Sequence, residues 1–183
     1  IWMNIWVPQS AKAGKYKGTL TVTGKNASPM ELQIEVDVLN RTLPAPKDWA
    51  FHLDLWQNPY SVARYYQVPL WSKEHFDAMR PIMKMLANAG QRAITTSIMH
   101  KPWAGQTEDH FDSMITRIKK IDGTWAYDYA VFDKWVEFMM NEIGIDDMIS
   151  CYTMIPWALS FDYYDEATNR VQFLNTKPGD AAY

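Results

Sequence analysis

A chain of 183 residues, 48% of them apolar, is long enough to bury a sizeable core, and its 18 basic and 21 acidic residues leave a net charge of −3. No run of Lys or Arg is arranged to neutralise a row of phosphates, which argues against nucleic acid as a partner, and no stretch reaches the ~18 consecutive apolar residues of a membrane-spanning helix. The one cysteine, Cys151, leaves no disulfide framework or thiolate metal site; in the apolar run 148–155 it reads as a buried small hydrophobe.

Residues 1–40 alternate with period two in Ile1-Trp2-Met3-Asn4-Ile5-Trp6-Val7, again from Tyr16 to Thr23, and again from Met30 to Val38, which predicts three strands. In the third, Leu32, Ile34, Val36 and Val38 face one way and Glu31, Gln33, Glu35 and Asp37 the other, the pattern of a sheet with one wet face. Three strands do not make a sandwich core, so residues 1–43 read as the C-terminal strands of a β-sandwich module that begins upstream of Ile1. Residues 44–48, opening on Pro44-Ala45-Pro46, read as a stiff linker.

From residue 49 to 183 the pattern becomes α/β. A strand is predicted over 50–56, with Phe51, Leu53 and Leu55 on one face and His52, Asp54 and Trp56 on the other. Ser72 offers an N-cap for a helix carrying Phe76, Met79, Met83 and Leu86 at the 3.6 period, with Gly90 to end it and Pro81 to kink it or mark a restart. A second strand is predicted over 92–98. A second helix, with a stripe of Phe132, Trp135, Val136, Met139, Met140 and Ile143, is closed by Gly144 and followed by a third strand over 148–154. Strand, helix and strand in succession make parallel βαβ units, so the segment reads as the N-terminal part of a (β/α)8 barrel. Two hairpins are predicted in addition: 113–120 with 124–127 through Ile121-Asp122-Gly123, and 161–164 with 170–174 through 165–169.

Aromatic content is high, 14% with nine Trp, and an indole is a costly filler because its N–H needs a partner when buried. Its flat face also stacks on the C–H face of a sugar ring. Pro102-Trp103-Ala104 follows the second predicted strand and Pro156-Trp157-Ala158 the third, at the carboxyl edge where parallel sheets carry their sites. If the three strands are neighbours, Trp56, Trp103 and Trp157 emerge at one rim with Asn58, Tyr60, Arg64, Tyr65 and His100, a set of platforms and polar neighbours suited to a sugar. Asp54, on the lumenal parity of its strand, is either a ligand for substrate or half of an ion pair; His52, deeper in the strand, reads as a hydrogen-bonded core histidine. Asp165-Glu166 has the composition of a glycosidase carboxylate pair but lies in a turn-forming run and reads as a solvated hairpin tip. His100, Glu108, Asp109 and His110 lack the i, i+4 ligand spacing of a helical metal site, and no metal or cofactor is expected.

The run Phe51-His52-Leu53-Asp54-Leu55-Trp56-Gln57-Asn58-Pro59, then Trp71-Ser72, Leu86-Ala87-Asn88-Ala89-Gly90, Asp122-Gly123-Thr124-Trp125 and Tyr163-Tyr164-Asp165-Glu166-Ala167-Thr168 resembles glycoside hydrolase family 123, from about Lys47 to the end. The resemblance implies a β-sandwich ahead of a (β/α)8 barrel and a β-N-acetylgalactosaminidase-like activity on N-acetylhexosamine-containing glycans. It also implies substrate-assisted hydrolysis, in which the 2-acetamido oxygen attacks the anomeric carbon while an Asp stabilises the oxazoline-like intermediate and an adjacent Glu serves as acid and base. Those neighbours end a later barrel strand, and no position here matches them, so no catalytic residue is transferred. The family's usual setting implies a secreted bacterial protein, extracellular or periplasmic, although no signal peptide is present in the chain.

Two other readings stay open: a non-catalytic carbohydrate-binding or scaffold module, and a self-sufficient small α/β domain with an unrelated ligand. An open parallel sheet edge is expected to favour self-association. On the leading reading the 183-residue chain holds part of a sugar subsite without the proton-transfer pair. Incubation with an aryl N-acetyl-β-galactosaminide is therefore expected to release no phenol above background, and measurable turnover contradicts that reading.

Overall fold

A computed structural model describes residues 2–103, 105–152 and 155–181. The chain separates into two compact units, Ile1–Ala45 and Pro46–Tyr183.

In the first unit the alternating sequence builds an antiparallel hairpin of β1 (Gly14–Gly24) and β2 (Ala27–Val38), paired from Gly14 opposite Val38 to Val22 opposite Met30. Ile34, Val36 and Val38 are the better covered residues of β2 and the acids between them are exposed, as a period of two requires. The strand expected over residues 1–7 is corrected. Residues 2–7 pair with no strand among the described residues, Trp2 and Trp6 are 87% and 85% exposed, and Ile1 lies outside the described residues. Alternation selects a face; it does not provide the partner ladder that satisfies backbone N–H and C=O groups.

The second unit opens on a single 3-10 turn, Pro46–Asp48. The strand expected over 50–56 is reduced to one parallel bridge, Leu53 to Gln91. His52, expected in the core, is exposed, and so are Phe51 and Leu55, because the segment lacks a continuous ladder and a covered face among the described residues. Helix α1 (Pro59–Tyr66) follows, an element that the aromatic-rich run Tyr60, Tyr65, Tyr66 had hidden from periodicity. It starts where Asn58 Oδ1 accepts the Ser61 N–H at 3.2 Å with Pro59 at the first helical position, and it ends on Gln67 in the left-handed region at φ 54°.

Helix α2 (Lys73–Asn88) has the expected cap, Ser72 Oγ accepting the His75 N–H at 3.2 Å, and runs through Pro81 without a break. Gly90 turns the chain at φ +86°, where a Cβ would come within 3.0 Å of the Trp49 ring. Strand β3 (Ala93–Ser97) is wholly buried. Strands β4 (Thr116–Lys119) and β5 (Trp125–Asp128) form the first expected hairpin. Helix α3 (Ala130–Glu137) widens into a π-helical turn, Phe138–Ile143, before Gly144 at φ +88° reverses the chain. The wider turn changes which residues face inward: Phe138 and Met139 are buried and Met140, placed on the core stripe by a 3.6 period, is exposed. Phe76, Met79, Met83, Ile94, Trp135 and Met139 form the centre of the core between α2, α3 and β3, and the Trp135 indole N–H donates to the Thr95 carbonyl at 3.0 Å.

Strand β6 (Met148–Tyr152) pairs in parallel with β3, Ala93 opposite Met148 and Ser97 opposite Tyr152. Thr153 and Met154, the end of the expected third strand, lie outside the described residues. Cys151 is exposed, not buried, because among the described residues β6 has a strand on one side only and its Cys151 face is uncovered. The second hairpin, β7 (Ser160–Asp165) with β8 (Arg170–Asn175), does not stand alone: β7 lies parallel to β4, giving a four-stranded sheet ordered β5-β4-β7-β8. Asp165 accepts the Ala167 N–H and the Thr168 hydroxyl, each at 3.1 Å, as a turn residue does. Glu166 is not simply solvated, since it pairs with Lys120 at 2.5 Å and its N–H donates to the Lys119 carbonyl, fastening the two hairpins together.

Helices α1 and α2 are joined by His75, which is fully buried: its Nδ1 accepts the Trp71 N–H at 3.0 Å, so its Nε2–H donates to the Pro59 carbonyl at 2.8 Å. Burial pushes the imidazole below its ordinary pKa, against the opposing effect of the Pro59 carbonyl. A depressed folded value means that the unfolded chain takes the proton first, so His75 contributes full stability above about pH 6.5 and loses it as pH falls towards the lower folded value. The urea midpoint is expected to drop between pH 7.5 and pH 5, and that part of the slope to vanish in His75→Gln.

Candidate functional site

The segment 53–57 is bound to β3 through side-chain amides in place of a backbone ladder. Arg92 N–H donates to the Leu53 carbonyl at 2.8 Å, and Leu55 N–H then donates to Gln91 Oε1 at 2.8 Å while Gln91 Nε2 donates to the Ala93 carbonyl at 2.7 Å. One step further, Gln57 Oε1 accepts the Thr95 N–H at 2.8 Å, Gln57 Nε2 donates to the carbonyls of Ala93 and Leu55, and Gln57 N–H donates to Thr95 Oγ1. Both amides are buried, Gln57 to 2% exposure, where an unpaired polar group costs most. The parallel order is therefore segment 53–57, β3, β6, and the carboxyl ends of all three lie on the same edge.

At that edge Trp56 stacks on Trp103 with ring centroids 5.2 Å apart and planes 28° from parallel. Tyr152, the last described residue of β6, packs against both rings with centroids 5.1 Å apart in each case. Trp56 is 57% exposed and Trp103 only 9%, so one indole is offered to solvent on a buried support. Trp103 is held from behind by Phe111 at 4.6 Å, Phe111 by Tyr60, and Tyr60 by Trp71. The backbone that presents Trp103 turns at Lys101, in the left-handed region at φ 47°, with the Lys101 N–H donating to the Phe111 carbonyl at 2.8 Å; Ala104, beside it, lies outside the described residues. Asp54 shares the parity of Trp56, and its Oδ1 is buried with no hydrogen-bond partner among the described residues. Burial, then the Asp54 charge, raises the pKa of the Tyr152 phenol, so Tyr152 remains a neutral donor at ordinary pH.

Comparison with known proteins gives the family of the chain. The model of the catalytic domain of glycoside hydrolase 123 matches residues 56–183, and that of the glycoside hydrolase 123 N-terminal domain matches residues 1–24. The chain belongs to glycoside hydrolase family 123. It is similar to a family 123 glycoside hydrolase from Clostridium perfringens, solved in a study of glycolipid glycan hydrolysis, with 34% identity and a TM-score of 0.87 over 96% of this chain and 32% of that one. The chain thus spans about a third of that structure's length. No curated protein matches.

Within this family 123 chain the candidate site residues separate into groups. Asp54, Trp56 and Trp103 come together, with Tyr152 in the place expected for Trp157. Trp157 is 65% exposed; its backbone N–H reaches the Pro102 carbonyl at 3.3 Å, but its ring makes no ring contact among the described residues. The two Pro-Trp turns are thus neighbours in space without their indoles meeting, because a loop fixes the path of the backbone and not the direction of a side chain. Tyr60 is a buried support, its hydroxyl donating to the Asp112 carbonyl at 2.7 Å. Asn58 Oδ1 is occupied in capping α1. Arg64 pairs with Asp109 at 2.7 Å, which holds that carboxyl below its usual range, beside a separate cavity of about 490 Å³ also lined by Glu108 and His110. Tyr65 packs edge-on to Tyr66 and is exposed. His100 Nδ1 lies 3.4 Å from Asp112 Oδ1, and its ring packs against Phe173. Gln57 and Tyr152 were missed as site-builders. Gln57 ended an apolar strand-like run with no pattern of its own, and Tyr152 points to the rim only because β6 ends beside β3.

Replacing Gln57 by Leu keeps volume and removes the amide, orphaning the buried Thr95 N–H while the Ala93 carbonyl keeps the Gln91 Nε2 donor. At about 1–3 kcal/mol for a buried group left unpaired, Gln57→Leu is expected to lower unfolding free energy by about 1–3 kcal/mol in urea titration. An unchanged midpoint contradicts the role given to this amide.

Proposed function

We propose that this chain supplies one wall of the glycan-binding cleft of a family 123 hydrolase. Trp56 on Trp103 is the stacking face, and Asp54 accepts a hydroxyl or amide N–H of an N-acetylhexosamine unit. The observation that carries this reading is the pairing of a solvent-open indole with a buried carboxylate oxygen that has no donor among the described residues. Sugars present apolar C–H faces edged by hydroxyls, and a site for them needs an aromatic plane and a nearby acceptor together. On this reading the three parallel segments are the opening strands of a (β/α)8 barrel, their carboxyl edge is its catalytic face, and the hairpin of residues 14–38 belongs to the preceding β-sandwich module.

The reaction follows from the family. In the whole enzyme the substrate's 2-acetamido oxygen displaces the aglycone from the anomeric carbon, the leaving oxygen takes a proton from an acid, and water then opens the oxazoline. The residues of this chain bind and orient. Asp165 and Glu166, the adjacent acids with the right composition, are engaged in a turn and with Lys120 respectively. Glycolipid glycan hydrolysis, the subject of the Clostridium perfringens structure, supports a glycan substrate here, and an extracellular or periplasmic location is proposed from the family's usual setting alone.

Titration of a neutral N-acetylhexosamine oligosaccharide into the chain is expected to change tryptophan emission with saturation. Trp56→Ala is expected to weaken binding about tenfold, the equivalent of ~1.4 kcal/mol for a lost stacking face. Equal affinity of Trp56→Ala and the parent sequence rules out the Trp56 platform as the sugar site.

A further inference from the structure

The four-stranded sheet carries a second cavity, of about 600 Å³, that the Trp56 platform does not use. Its wall follows from register. Arg117 stands opposite Tyr127 and Lys119 opposite Trp125 across β4 and β5, and Phe161 and Tyr163 alternate onto the same cavity from β7. Trp125 and Tyr163, both lining the cavity, meet edge-to-face at 5.3 Å, and Trp125 is exposed.

Arg117 is the unusual member. Its guanidinium lies over the Phe161 ring at 5.4 Å and donates to the Ile98 carbonyl at 2.5 Å, to Met99 Sδ at 2.8 Å and to Ser113 Oγ at 3.3 Å. Every one of these acceptors is neutral. No carboxylate among the described residues lies within ion-pair distance, and none of the residues lining the cavity is acidic. The acid whose charge acts on Arg117 is Asp162 of β7, which forms no ion pair with it among the described residues. A guanidinium has five N–H donors in a planar fork, so the Nε–H and one Nη1–H of Arg117 remain without a hydrogen-bond partner among the described residues. Burial disfavours its charge, and the charge of Asp162 only partly opposes that effect.

We propose that this cavity is a saccharide subsite for a negatively charged sugar residue, with Trp125 and Tyr163 stacking on the ring and Arg117 receiving its carboxylate or sulfate group. Ring stacking alone selects any sugar; a guanidinium beside the ring with no ion-pair partner selects an anionic one, by a charge-assisted hydrogen bond. The site adjoins the platform: Ile98 lines the cavity, and its N–H donates to the Tyr152 carbonyl at 2.6 Å. The proposal rests on the glycan-binding reading above for the nature of the ligand and adds to it a charge preference at a different set of residues.

The test uses three oligosaccharides of one backbone, neutral, carboxylated and sulfated, measured by calorimetry at low salt against the parent sequence, Arg117→Met, Trp125→Ala and Trp56→Ala. At least one charged glycan is expected to bind about tenfold or more tightly than the neutral one, with the advantage shrinking as salt rises. Which charged form binds more tightly identifies the anion. Arg117→Met is expected to abolish the advantage and leave neutral binding unchanged. Trp125→Ala, which touches none of the Arg117 hydrogen bonds, is expected to weaken charged-glycan binding about tenfold, and decides the matter if Arg117→Met does not fold. Equal affinity for the neutral and both charged glycans overturns the proposal, as does an advantage that survives in Trp125→Ala or in folded Arg117→Met. Loss of neutral binding in Trp56→Ala reads the platform separately, so failure of one site is distinguishable from failure of the other.

Discussion

The rim of this protein depends on two buried glutamines. Segment 53–57 carries Asp54 and Trp56, yet among the described residues it holds one backbone bridge to its neighbour, and the Gln57 and Gln91 amides carry its register onward along β3. A primary amide presents a donor and an acceptor side by side, as a peptide group does, and can continue a parallel ladder where the backbone has already begun to diverge. Divergence is useful here, because a strand that leaves the sheet early turns its last side chains out over the edge. The buried amides keep that departure in one geometry, since slipping by one residue would leave several polar groups unpaired at once.

Rigidity reaches the rim by a second route. The rings of Trp56, Trp103, Phe111, Tyr60, Trp71 and Trp135 follow one another at centroid distances of 4.6 to 6.2 Å, from an indole open to solvent to one that is fully buried. Each contact is edge-to-face, tilted or offset, as ring quadrupoles prefer. A single exposed Trp loses rotamer freedom on binding a sugar. One stacked on this column has lost much of it during folding, which leaves more of the stacking energy for the ligand.

The four-stranded sheet shows how a feature with no local signal arises. Both hairpins are legible from alternation and turn residues, but their parallel junction brings residues 118–119 beside residues 164–165, and it is held by Glu166, whose residue type in a turn reads as solvated. Joining the hairpins places the β4–β5 aromatics and cations on one wall with the β7 rings, and so creates a cavity that neither hairpin has alone.

Much was therefore written in local pattern. Helix α2, with Ser72 at its start and Gly90 at its end, the β3 and β6 strands, both hairpins and the family likeness follow from short-range chemistry: caps, periods of two and 3.6, and turn residues at the right places. Tertiary structure decided what depends on partners distant in the chain. It turned a predicted strand at 50–56 into a glutamine-held segment, replaced Trp157 by Tyr152 in the ring cluster, put Phe138 in the core through a π turn, and exposed Cys151 and His52. The reason is common to all of these. Periodicity states which face a residue takes within its own element, whereas burial and contact are properties of the neighbour that covers that face, and the neighbour is chosen by the fold as a whole.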